Sequence, residues 1–184
     1  MLQKAQAVFW NLGYAATSLD DLAAATGLNR PSLYAAFGDK HALYIRALEH
    51  SSAAALAAIR GVLAHDAPLR DALARLFQGA IDRYLAGECG PRGCFVVGTA
   101  VTQAVNDPEA RELAARFVAE EDALFRARFA AAADELAAGV EPAAAAVMAS
   151  SALHSLAVRA RTGADAESLK AVARAAVDLL CKRA

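Results

Sequence analysis

An all-α fold of about nine helices is predicted by three features of the 184-residue sequence. Alanine is the commonest residue and runs of β-branched residues are nearly absent, so propensity alone favours helix: alanine has no side-chain freedom to lose there. Apolar side chains recur at three- and four-residue steps through most of the chain, which gives each segment one apolar stripe. Glycine and proline fall between these segments, where helices stop and start. No Pro- or Gly-rich linker interrupts the chain. The expected organisation is two packed parts, residues 1–48 and 49–184.

The first helix is expected from about Leu2 to Leu12, with Leu2, Ala5, Val8, Phe9 and Leu12 on one side and Gly13-Tyr14 ending it. Ser18 followed three positions later by Asp21 has the spacing of a capping box, although that motif prefers Glu or Gln at the second place. A second helix carrying Leu19, Leu22 and Ala23 then runs to Thr26-Gly27, where glycine can turn left-handed without a Cβ clash. Asn29 caps the third helix and Pro31 occupies its first turn, where amide hydrogens have no intrahelical acceptor; Leu33, Tyr34 and Phe37 supply its inner face. Two short helices joined at Gly27 and released into a third form a helix-turn-helix. In that motif the start of the second helix enters the DNA major groove, which here means Arg30, Pro31 and Ser32. Arg30 can fork onto guanine or hold a phosphate.

Gly13-Tyr14, Thr17-Ser18 with Leu22-Ala23, Gly27-Leu28, and Leu33-Tyr34-x-x-Phe37-x-x-Lys40-x-x-Leu43 lie within a continuous run from Leu2 to Leu48. That run resembles the DNA-binding domain of the TetR family of bacterial repressors. The resemblance implies that Thr17 and Ser18 at the mouth of helix two, Tyr34 in the recognition helix and Lys40 at the start of the next are phosphate binders. Tyr34 has core packing as its competing role. Family members usually carry a further N-terminal segment with basic residues, of which Lys4 stands here.

Gly38-Asp39 opens a long helix to about His65, and Ala67-Pro68 starts another whose stripe includes Leu69, Leu73, Leu76, Phe77, Ile81 and Tyr84. Gly87 to Gly93 is expected as loop. Cys94 to Val101 is apolar throughout and is assigned to a buried helix, because a lone strand has no ladder partner. Asn106-Asp107-Pro108 starts a helix to about Ala138 with the stripe Leu113, Phe117, Leu124, Phe125, Phe129 and Leu136. Two further helices, Pro142 to Thr162 and Asp165 to Arg183, close the chain, and the last has an apolar face wider than one small domain usually covers.

By the same resemblance these last two helices pair with their copies in a second subunit. Met148, Ser151, His154, Leu169, Val172, Ala176, Leu179 and Leu180 are the candidate homodimer contacts. Two DNA-binding heads would then meet a palindromic double-stranded operator at a spacing of about 34–36 Å or a multiple. A small-molecule effector would bind within the C-terminal helices and release the DNA. Phe77, Tyr84, Cys94, Phe95, Phe117, Glu121 and Phe125 are its candidate pocket residues. Glu121 falls on the inward stripe between Phe117 and Phe125, yet Glu120-Glu121-Asp122 also reads as a solvated acidic turn. Cys94 opens a helix, a position that can lower a thiol pKa, and a buried structural cysteine is its other reading.

The formal net charge of -1 does not by itself announce a nucleic-acid binder, so a local basic edge at Arg30 and Lys40 must carry the interaction. Cys89, Cys94 and Cys181 are too few and too unevenly placed for a disulfide framework or a thiolate zinc site, and no metal or other cofactor is expected. The absence of a signal-peptide pattern and of an apolar run of membrane-spanning length points to the cytoplasm. His154 among Ser150, Ser151 and Ser155 superficially suggests a nucleophile with its base. Neighbours on one helix supply neither an orienting third group nor an oxyanion hole, so no enzyme is expected. A second reading of the chain is a helical ligand-binding or interaction protein with weakened DNA binding.

Overall fold

The computed structural model describes residues 1–64, 67–87 and 90–182. Nine α-helices occur among them: α1 (Leu2–Ala16), α2 (Leu19–Thr26), α3 (Arg30–Phe37), α4 (Lys40–Leu63), α5 (Leu69–Leu85), α6 (Val101–Gln103), α7 (Pro108–Ala131), α8 (Pro142–Arg161) and α9 (Ala166–Leu180). The all-α expectation is met, and the one β-type pairing among the described residues is an isolated antiparallel bridge between Leu136 and Cys181. Cys89 and the helix ends placed at His65 and Arg183 lie outside the described residues.

Two compact units divide the chain, Met1–Ala54 with Phe95–Ala115, and Ala55–Cys94 with Arg116–Ala184. This differs from the boundary expected at residue 48, because residues 95–115 belong with the N-terminal segment. The reason is aromatic packing between residues far apart in sequence. Phe95, 1 % exposed, lies 5.6 Å from Trp10 and 6.1 Å from Tyr44 between ring centroids, and Tyr44 in turn packs on Phe9 at 5.2 Å and Tyr14 at 4.8 Å. The Tyr44 hydroxyl donates to Thr99 Oγ1 at 3.1 Å, and Thr99 donates to the Phe95 carbonyl at 2.8 Å. Back-bonding of this kind bends helices, and Val96–Ala100 is a π-helical turn that continues into α6. Phe95–Val101 is therefore helical, as the composition of the apolar run suggests, but Cys94 lies just before the helix rather than opening it, and Val101 is 55 % exposed, so the helix is not buried on all sides.

Elsewhere in the first unit, Gly13 takes a left-handed φ of 78° and breaks the helical backbone inside α1, where the sequence places a stop. Leu12, expected on the inner side of that helix, is 49 % exposed. Tyr34, expected on the inner face of α3, is also 49 % exposed: once Leu33 points inward, its successor is turned about 100° away around the helix.

In the second unit α5, α8 and α9 pack on one another around Leu73, Phe77, Ile81, Leu153, Leu156, Leu169 and Val177, with Phe125 and Phe129 of α7 in the same core. The helix expected to reach Ala138 ends at Ala131. A 3₁₀ turn, Ala133–Glu135, follows, and the next residues satisfy chain ends rather than extending the helix. Ala137 N donates to the Leu180 carbonyl and Lys182 N to the Glu135 carbonyl, both beside the Leu136–Cys181 bridge, while the Glu135 carboxylate accepts from Leu69 N at the start of α5. Hydrogen-bond demand at two helix termini thus outweighs the local preference for helix.

α8 is long and apolar enough to span a membrane by composition, with mean hydropathy 1.2, but 44 % of that window is buried inside the chain. Its inward residues form part of the core just described.

Candidate functional site

The α2–α3 corner is built by local bonds that the sequence already names. Ser18 N donates to Asp21 Oδ2 at 2.8 Å and Asp21 N donates to Ser18 Oγ at 3.1 Å, which completes the capping box with Asp in the place of Glu. Gly27 closes α2 in the left-handed region, φ 73°. Asn29 Oδ1 accepts from Ser32 N at 2.9 Å, and Pro31 sits in the first turn of α3. Arg30, Pro31 and Tyr34 are exposed on α3 and Ser32 is half-buried.

Two of the side chains on this surface are held in ways the sequence does not announce. Arg30 binds Asp20 with both ends of a fork, Nε to Oδ1 at 2.9 Å and Nη2 to Oδ2 at 2.7 Å, and the Arg30 guanidinium holds the Asp20 carboxyl below its ordinary range. Lys40 donates from Nζ to the Thr17 carbonyl at 2.7 Å, with Nζ 4.4 Å from the Tyr14 ring centroid. Thr17 itself is 2 % exposed and its hydroxyl donates to the Gly13 carbonyl at 2.7 Å. The hydroxyl proposed for a phosphate is thus spent on closing the kink in α1, because a buried hydroxyl must find a partner. Ser18 is exposed, and its hydroxyl donates to Asp21 Oδ2 at 2.6 Å.

His41 at the start of α4 escaped the sequence reading. Its Nε2 lies 2.9 Å from Asp107 Oδ2, while Asp107 Oδ1 accepts from Glu109 N and Ala110 N as the cap of α7. Partial burial works against ionising Asp107, yet the bonds from Ala110, His41 and Glu109 leave its carboxyl below the ordinary range. The cap was legible in Asp107-Pro108; the histidine partner, remote in sequence, was not.

Of the candidate effector residues, Phe95 belongs to the first unit, in the aromatic cluster with Trp10 and Tyr44. The second unit holds the others. Phe77, Phe117 and Phe125 are buried, Tyr84 is 8 % exposed, and Cys94 is half-buried against the core. Glu121 is 2 % exposed, so the solvated-turn reading fails for it, although Glu120 stays exposed. Glu121 Oε1 lies 3.1 Å from His154 Nε2, a close ionic contact without the alignment of a good hydrogen bond. Asp122 beside it accepts from Ser150 Oγ at 2.6 Å. Burial raises the Tyr84 hydroxyl well above its ordinary pKa, and the charges of Cys94 and Glu121 push the same way.

The Glu121 carboxylate raises the His154 pKa above its ordinary value, with burial opposing. Such a group stabilises the fold fully below its unfolded-state pKa of about 6.5, and the contribution is lost as pH rises through the higher folded-state value. Wild-type protein is therefore expected to lose thermal midpoint between about pH 6 and 8 by more than Glu121→Gln, measured by calorimetry in matched buffers. Parallel curves would detach His154 from Glu121.

The candidate dimer residues separate by burial. Leu169, 0 % exposed, and Leu180, 5 %, are spent on the chain's own core. Met148 at 57 % and Leu179 at 70 % face outward, Ser151 is exposed, and His154, Val172 and Ala176 are half-buried. Val147 and Val158, which the sequence reading omitted, extend the exposed apolar stripe of α8.

A corner made by a left-handed glycine, with a capped helix on each side and an arginine at the first exposed position of the second, defines a helix-turn-helix protein. The model of the family described as bacterial regulatory proteins, tetR family, matches residues 1–47. Over nearly its full length the chain is similar to the TetR family transcriptional regulator CifR, solved as a cysteine mutant with a 26-bp double-strand operator DNA: 35 % identity, TM-score 0.76, covering 96 % of this chain and 93 % of that one. The chain belongs to the TetR family. Among curated relatives, the transcriptional repressor BdcR of Escherichia coli K12 is 30 % identical over 116 residues, 63 % of this chain and 57 % of BdcR. The repressor ComR of the same organism is 36 % identical over 102 residues, 55 % and 48 % respectively. The chain thus spans about half the length of the curated relatives it matches. The reduced form of E. coli NemR, at 16 % identity and TM-score 0.85, shares the fold.

Proposed function

We propose that this chain is a ligand-responsive transcriptional regulator, a repressor that binds a palindromic operator as a homodimer and is released by a small molecule. The observation that carries the reading is the exposed start of α3, Arg30 and Pro31 with Ser32 beside them, held at a fixed angle by Gly27 and the Asn29 cap. Full-length similarity to a regulator solved on operator DNA supports it. Arg30, Pro31 and Ser32 meet base edges, and Ser18, Tyr34 and Lys40 meet phosphates. Thr17 contributes through its carbonyl, which positions the Lys40 ammonium.

Residues 1–48 serve as the DNA-binding part and residues 49–184 as the sensing and pairing part. The outward stripe Val147, Met148, Ser151 and Val158 of α8, with Leu179 of α9, pairs with its copy across a two-fold axis. The effector is recognised in the second unit, with the Glu121 carboxylate as its polar contact and Phe77, Tyr84, Cys94, Phe117 and Phe125 as candidate apolar contacts. The protein works in the cytoplasm, where its operator is, and performs no catalysis.

A gel-shift series over salt with DNA from the protein's own upstream region tests the reading. Lys40→Ala is expected to weaken binding to all sequences alike and to lower the salt slope by about one unit per protomer, whereas Arg30→Ala also relaxes sequence choice. Unchanged binding in both variants would remove the contact surface. The second reading, a helical ligand-binding protein with weak DNA affinity, draws on the net charge of -1 and on the engagement of Arg30 by Asp20. Failure of the wild type to shift any duplex would select it.

A further inference from the structure

Asp20 stands in the first turn of α2, 73 % exposed at its side chain, on the surface that presents Arg30. A carboxylate there repels phosphate, and as an exposed ion pair its bond to Arg30 adds little to stability. The geometry of the pair suggests a different use. A guanidinium carries five N–H donors in one plane. Asp20 takes the Nε hydrogen and one Nη2 hydrogen along the side edge, at 2.9 and 2.7 Å. The remaining Nη2 hydrogen and the two on Nη1 include the end-on fork, two parallel donors that match the O6 and N7 acceptors of guanine in the major groove.

We propose that Asp20 is a positioning residue for base recognition: it locks the Arg30 plane by the side edge and presents the end-on fork to a guanine. This rests on the DNA-binding reading above. An arginine without that brace sweeps a cone of rotamers and finds phosphates on any sequence; braced, it gives up that freedom and reads one base. Asp20 thereby exchanges general affinity for discrimination, because its own charge opposes the DNA backbone while its bond fixes the reader.

Selection from randomised duplex DNA followed by sequencing, with wild type, Asp20→Asn, Asp20→Glu, Arg30→Ala and the Asp20→Asn/Arg30→Ala double variant, tests this role. Wild type is expected to prefer guanine at one position of each half-site by about 5- to 100-fold. Asp20→Asn is expected to bind unrelated duplexes more tightly and to lose most of that preference, while Asp20→Glu retains part of it. The double variant should match Arg30→Ala, since Asp20 acts only through Arg30. Thermal midpoints should stay close to wild type throughout. An Asp20→Asn protein with the wild-type base preference, whatever its overall affinity, would overturn the proposal. A wild type that enriches no duplex is a separate result, which removes the DNA-reading function and this role with it.

Discussion

Phe95→Ala is expected to destabilise the chain by about 3–5 kcal/mol, a large share of a typical domain's 5–15. Phe95 is 1 % exposed, and its ring is held between Trp10 and Tyr44. Truncation removes the transfer free energy of the ring, leaves a cavity under two aromatic neighbours, and forfeits aromatic pair terms of about 0.5–1.5 kcal/mol each. The π-helical turn begins at the next residue, so loss of this anchor also loosens the tie between residues 95–115 and the N-terminal helices. Trp10 is the only tryptophan, which makes its emission a local reporter. Urea unfolding is expected to show the lost stability, and native emission to shift toward that of a more solvated indole. A loss below about 1 kcal/mol with unchanged emission would contradict the assignment of Phe95 to this cluster.

The second large effect concerns the ionic contact in the other unit. His154→Leu is expected to cost about 3–5 kcal/mol at about pH 6, where the contribution of the pair is complete, because it leaves the Glu121 carboxylate buried without its counter-charge. Glu121→Leu should cost less, about 1–3 kcal/mol, since a histidine without its carboxylate can stay neutral. The double variant Glu121→Leu/His154→Leu should recover most of the loss: the desolvation of both groups disappears along with their attraction. A urea double-mutant cycle measures the coupling directly. Strictly additive losses would show that the 3.1 Å contact carries no energy.

The parts of the fold that sequence reasoning reached are those encoded over a few consecutive residues. Ser18 with Asp21, Gly27, Asn29 and Pro31 act within one turn of themselves, so the helix-turn-helix was readable down to its caps. Contacts between residues far apart in sequence were not. Nothing in the run Cys94–Val101 distinguishes a helix serving the first unit from one serving the second, because the deciding contact is Phe95 on Trp10. Glu121 shows two local rules in conflict. Helical spacing turned it inward and the acidic run turned it outward; its partner on α8 decided the matter. The apolar face of α9 posed the reverse problem, since periodicity could not say that Leu169 and Leu180 are used inside the chain while Leu179 is left outside. Tyr34 and Thr17 had their surroundings exchanged, the tyrosine exposed and the threonine enclosed.

Alanine, which first marked this chain as helical, has a second role along α8. Ala145, Ala146, Ala149, Ala157 and Ala160 are each 2 % exposed or less, in a helix packed on both α5 and α9. There a methyl group sets the distance between backbones. At the exposed Ala143 and Ala144 of the same helix a larger residue has somewhere to go. At the five enclosed positions it must push neighbouring helices apart, at about 1–3 kcal/mol for each overpacked site. The abundant residue is thus two populations in one composition, interchangeable filler outside and fixed spacers within, and mutational tolerance along α8 should alternate with the turn of the helix.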